Sequence, residues 1–200
     1  MKDELFDFYK NALSGVITDP LCVDFKNEWR NAQGDKLELV KLSLRQQSIP
    51  FVATHCYKKK GVSKKYILSE FDKYINGYTV HDADKVEGYS YGLYVDWDYD
   101  TDLIVDKDVS HIMWTVGATL FVPETTCPII YISNKSNVHL AMEGFNTVKL
   151  YLFDNSRVTI EECDDDSEVT IYKYNEKCKV EYGRYCFSTK IHEHLKELKL

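Results

Sequence analysis

Several ordinary features are scarce or missing from this chain, and each absence excludes something. Only nine glycines and four prolines occur in 200 residues, below their usual combined share of about 12%. The chain is therefore not a low-complexity linker. No apolar run approaches the roughly 18 residues that span a bilayer. Positive charge is outweighed: 25 Lys and Arg stand against 32 Asp and Glu, a formal net charge of −7. Nucleic-acid binders usually carry the opposite sign to displace phosphate counterions. The six cysteines (Cys22, Cys56, Cys127, Cys163, Cys178, Cys186) include no CxxC pair, so zinc-ligand spacing is missing. The opening Met1-Lys2-Asp3-Glu4-Leu5 has no apolar signal region, so the expectation is a cytoplasmic protein with free thiols. There is no GxSxG, HExxH, P-loop or GxGxxG. Nothing assembles nucleophile, base and oxyanion donor, and the expectation is a protein that is not an enzyme.

What is present is enough apolar residue, 44%, for a packed core, together with 15 tyrosines. Residues 1–77 read as helical. Leu5, Phe8, Tyr9, Ala12 and Leu13 form one stripe at helical spacing. Asp19 and Pro20 open a second helix with Leu21, Phe25, Trp29 and Ala32 on its buried face, and Gly34 closes it. A third helix spans Leu37 to Gln47. A fourth runs from Ser63, as its N-cap, to Ile75, stopped by Asn76-Gly77.

Near residue 78 the period falls to two. Tyr89, Tyr91, Leu93, Val95, Trp97 and Tyr99 alternate with Ser90, Gly92, Tyr94, Asp96, Asp98 and Asp100, which predicts a strand. Further on lies a repeat. Val138, Val148, Val158, Val169 and Val180 each precede Leu, Ile or Tyr by two residues and recur every 10 or 11 positions. Two residues before each Val sits a small side chain or thiol: Ser136, Asn146, Ser156, Ser167, Cys178. A stack of coils selects one side-chain class at each corner, whereas an antiparallel meander has no such requirement. The reading is an α+β chain: a helical docking or assembly domain (1–77), a connecting strand region (78–116), β-solenoid repeats (117–186) and a C-terminal cap (187–200). An antiparallel β-sandwich is the alternative.

Candidate sites are few. Asp96, Asp98, Asp100 and Asp102 are candidate metal ligands, and the first three match positions 1, 3 and 5 of a calcium loop, but Thr101 and Lys107 stand where an EF-hand needs Gly and Glu. No cofactor is expected beyond weak Ca²⁺ or Mg²⁺ there. Lys58, Lys59, Lys60, Lys64 and Lys65 precede and open a helix and are candidates for an anion contact. Tyr94, Tyr151 and Tyr172 are candidate exposed aromatic contacts, with Tyr94 or Trp97 able to stack on a sugar. His192-x-His194 would share a strand face. Glu161 to Asp166 reads as a solvated turn.

Three stretches, Arg45-Gln46-Gln47-Ser48-Ile49-Pro50-Phe51, Tyr91-Gly92-Leu93-Tyr94-Val95-Asp96-Trp97-Asp98-Tyr99 and Cys127-Pro128-Ile129-Ile130-Tyr131-Ile132-Ser133-Asn134-Lys135-Ser136, resemble uncharacterised proteins encoded by phages and prophages of gut Bacteroidales. That resemblance implies a phage or mobile-element role, with incorporation into a phage particle as one destination, and brings no site residues. The repeat resembles short β-solenoids of fibres, adhesins and scaffolds, an analogy of fold alone. The expected function is therefore a structural or interaction protein with a protein partner or a second copy of itself. A cation-assisted carbohydrate-binding module and an adaptor contacting nucleic acid or phosphate through Lys58–Lys65 are the alternatives.

Overall fold

The computed structural model describes residues 23–32, 35–45, 62–81, 90–98, 100–163, 166–185 and 190–195. The elements in chain order are α1 (Val23–Asn31), α2 (Lys36–Leu44), α3 (Lys64–Glu70), a 3₁₀ turn (Asp72–Tyr74) and twelve strands among the described residues. The strands are β1 (Thr79–His81), β2 (Ser90–Val95), β3 (Leu103–Ile104), β4 (Val109–Met113), β5 (Val116–Val122) and β6 (Ile129–Ser133). They continue as β7 (Asn137–Met142), β8 (Thr147–Leu152), β9 (Arg157–Cys163), β10 (Glu168–Lys173), β11 (Lys179–Tyr185) and β12 (Lys190–Leu195).

The strands sort by parity. One sheet has the order β1-β2-β4-β6-β8-β10-β12 and the other β11-β9-β7-β5-β3. Every pairing after β1–β2 is parallel. The chain is thus mostly β, a solenoid of about five turns with a few helices, and the parallel ladders overturn the antiparallel sandwich. One coil takes two of the sequence repeats. Val148 stacks on Val169 and Val138 on Val158, so alternate copies, not successive ones, lie over each other. The parallel stacking also takes in β2 and β4 upstream of residue 117 and β12 downstream of residue 186.

Inside the coil the repeat positions make continuous aliphatic columns. Ile130, Leu150 and Ile171 stack in one sheet, and Leu120, Leu140 and Ile160 in the other. All six are completely buried, and each contributes about 1.5–3 kcal/mol relative to exposure. The small side chains turn the corners. Ser136 Oγ accepts from the Thr115 N–H at 3.1 Å, and Ser156 Oγ donates to the Ile132 carbonyl at 3.1 Å. At the opposite corner Asn146 Oδ1 accepts from the Thr126 N–H, and Ser167 Oγ donates to the Gly144 carbonyl. These bonds run between successive coils and satisfy backbone groups that the bends leave without ladder partners. The scarcity of glycine proves no obstacle to tight corners. Asn134, Lys135, Asp154 and Asn155 all take positive φ, a region that Asn and Asp tolerate better than most residues.

A second core lies outside the coil. Trp29, Leu39, Val40, Leu42, Leu44, Ile67 and Phe71 pack against the outer face of the larger sheet at Tyr91, Leu93, Val95, Val109 and Met113. This explains why β2 buries both faces. Asp35 caps α2 by accepting from the Glu38 N–H, and Ser63 caps α3 by accepting from the Tyr66 N–H. The segment from Ser63 to Ile75 is not one helix: α3 stops at Glu70, and the 3₁₀ turn follows. Asn76, at φ 54, then mimics a strand partner for β2. Its Nδ2 donates to the Val95 carbonyl and its Oδ1 accepts from the Val95 N–H. The stripe from Leu5 to Leu13, the Asp19–Pro20 start and Gly34 lie outside the described residues. Among the described residues, no helix is long and apolar enough to cross a membrane.

Candidate functional site

The outer face of the larger sheet carries a ladder that follows from the 18-to-22-residue coil. Leu93, His111, Tyr131, Tyr151, Tyr172 and His194 occupy equivalent positions on β2, β4, β6, β8, β10 and β12. Tyr131 stacks on Tyr151 with centroids 4.8 Å apart, Tyr151 on Tyr172 at 4.7 Å, and Tyr172 on His194 at 5.2 Å. A shorter parallel column, Phe153 on Tyr174 at 4.5 Å, lies beside it. Adjacent strands sit about 4.8 Å apart, so identical flat side chains on successive coils stack face to face.

Burial is graded along this ladder. His111 and Tyr131 are buried in the layer beneath the helices, Tyr151 and Tyr172 are half-buried, and His194 is exposed. Electrostatics follow the same gradient. Desolvation pushes His111 down to about 3, so its ring is neutral, and Nε2 lies 2.8 Å from Ser133 Oγ. Burial pushes the Tyr131 and Tyr151 hydroxyls up, reinforced in each case by neighbouring tyrosines. Burial also raises Tyr174. These phenols stay protonated and keep a donor.

Tyr151 and Tyr172 thus come together as neighbours on one ladder. Tyr94 does not join them. It is 4% exposed and points into the coil interior, because it shares the inward parity of Ile112 and Ile132. Gly92 beside it leaves the room its ring fills, since a Cβ there would lie 2.7 Å from Tyr94 Cε2. Burial, with Asp106 nearby, pushes the Tyr94 hydroxyl up to about 12. Trp97 meets Tyr94 edge to face and donates Nε1–H to the Thr101 carbonyl. Neither ring is an open platform.

The acidic run is a turn and not a continuation of the strand. β2 ends at Val95, Asp96 has φ 53, and Asp98 Oδ1 accepts from the Asp100 N–H. An extended segment needs a ladder partner, and past Val95 the side chain of Asp98 supplies the bonds instead. Asp96 pairs with Lys64 at 2.6 Å, tying α3 to the first coil, while Asp100 and Asp102 are exposed. Among the described residues, no three His, Cys, Asp or Glu side chains are grouped as a metal would need. Of the basic segment, Lys64 takes part in that ion pair and Lys65 is exposed; Lys58, Lys59 and Lys60 lie outside the described residues. His192 and His194 share the outer face of β12, where His192 approaches Glu168 at 4.0 Å and His194 ends the ladder.

Two features escaped the sequence reading. Tyr174 and His194 belong to the aromatic face, a relation visible only when positions 21 or 22 apart are compared. Asp154 is 5% exposed at a corner. Its Oδ2 accepts from the Asn134 N–H at 3.2 Å, and Oδ1 has no hydrogen-bond partner. Burial raises it to about 6, against the opposing pull of Asn134 and Lys135. Comparison with protein-family models, with curated proteins and with solved structures found no match to this chain, and so lends no support to a phage or Bacteroidales relationship.

Proposed function

We propose that this chain is a non-enzymatic structural or interaction protein, of phage or mobile-element type by its resemblance, that engages a protein partner through the outer aromatic face of its larger sheet. In this reading the N-terminal segment (1–77) is the docking or assembly part and the solenoid displays the contact face. The observation that supports it is the graded ladder Tyr131–Tyr151–Tyr172–His194, continuous with the apolar layer under the helices. Aromatic residues with a polar tip are enriched at protein interfaces. The stacking also weighs against a sugar platform, because each ring face from Tyr131 to Tyr172 is turned toward its neighbour.

The test places a photo-reactive phenylalanine at position 172 of the full chain, and separately at position 181 on the opposite sheet, in lysate of the producing cell. Discrete protein adducts from 172 and none from 181 are expected. Equal adducts from both positions, or a turnover activity abolished by substituting Asp154 or Cys178, would contradict the proposal.

A further inference from the structure

Three interior columns take a polar residue near the end of the described coil, while the Val148-Val169 column stays apolar through Ile191. In the larger sheet Ile130, Leu150 and Ile171 are followed by Glu193, while Ile132 and Leu152 are followed by Lys173 and then by Leu195 at the outermost rung. In the other sheet Leu120, Leu140 and Ile160 are followed by Tyr182. Three neighbouring inward positions thus become polar together, and they bond to one another. Lys173 Nζ lies 2.7 Å from Glu193 Oε2, and the Tyr182 hydroxyl donates to Glu193 Oε1. The cluster therefore bridges the two sheets at the last strands of the described residues.

That end is otherwise a template for growth. Among the described residues β11 pairs only with β9 and β12 only with β10. Val180 and Ile191 are only partly covered, Tyr182 is 47% exposed and Leu195 53%. Unpaired strand edges over an apolar interior invite another chain to add. The opposite end differs, since β1 lies antiparallel along β2 and closes that sheet.

We infer that Lys173, Glu193 and Tyr182 form a polar closure of the last coil that keeps a second copy of this chain from stacking on β11 and β12. An inward-pointing charge is one of the devices that blunt a sheet edge. A stacked copy would strip water from the Glu193 carboxylate, and removing an ion pair from water is unfavourable unless further hydrogen bonds replace the solvent.

The experiment is native mass by light scattering on a sizing column, over a range of concentrations, with circular dichroism as the check on folding. The wild-type chain is expected as a monomer of 23.3 kDa. Glu193→Gln, which keeps a polar end, should remain monomeric. Glu193→Leu, which completes the Ile130-Leu150-Ile171 column, should shift to dimers or larger species. Glu193→Met serves if Leu disturbs β12. A wild-type dimer overturns the inference by itself. So do folded Leu and Met variants that stay monomeric. Loss of folding in both would make the cluster a requirement of the coil and not a closure, and would overturn it too.

Discussion

Replacing Asp154 with Asn should change the pH dependence of stability in a defined direction. The carboxyl sits at 5% exposure, and burial raises it from 3.8 to about 6. Its folded-state proton affinity therefore exceeds that of the unfolded chain. Such a group favours folding fully below its unfolded value, and that contribution is lost as pH rises through the folded value. A shift of about two units, at 1.36 kcal/mol each, sets a ceiling of about 3 kcal/mol for the loss between about pH 4 and pH 8. Asn removes the titration and keeps two features. Its amide oxygen still accepts from the Asn134 N–H, and Asn tolerates the φ of 55 at this corner. Urea unfolding of both proteins at a series of pH values isolates the term from all other carboxylates. The Asn variant should gain on the wild type by about 2–3 kcal/mol over that range. A difference that is flat with pH, or that shrinks as pH rises, would refute the burial argument.

Two further perturbations test local packing. Asn76→Ala removes both side-chain bonds to Val95 and places Ala at φ 54; a loss of about 2–3 kcal/mol in chemical unfolding is expected. Asn76→Gly, which accepts the φ, should lose less. Gly183→Ala puts a Cβ 2.9 Å from the Cα and carbonyl oxygen of Glu161. Backbone cannot swing aside, so β11 should separate from β9, read as faster amide exchange in Lys179–Tyr185 with little change in β4 and β6.

The small residues before each Val predicted a solenoid because a corner recurs identically only in a stack, and they indeed line the corners. What the repeat concealed was its pairing into coils. Outward residues look mixed when successive copies are compared: His139, Lys149, Thr159, Thr170. They sort once alternate copies are taken together. Lys149-x-Tyr151 lies beside Thr170-x-Tyr172, while His139 and Thr159 belong to the other sheet. The aromatic face was therefore present in the sequence at a spacing of 21 and hidden at 10. Tyr94 was misplaced for a different reason. Period-two alternation assigns faces but cannot say which face looks inward when both are buried, as in β2. The acidic run misled because alternation continued past Val95 although the ladder did not. Asn76 and Glu193 act through partners 19 and 11 to 20 residues away, distances that no local pattern encodes.

The claim on which all of this rests is that one coil spans two repeats. Nuclear Overhauser effects between backbone amides test it directly in the isotope-labelled chain. Contacts should link β8 to β10, around the register pair Lys149 and Thr170, and none should link β8 to β9 around Lys149 and Thr159. Contacts between β8 and β9, and none between β8 and β10, would mean that successive repeats pair, and would contradict the ladder, the closure and the fold together.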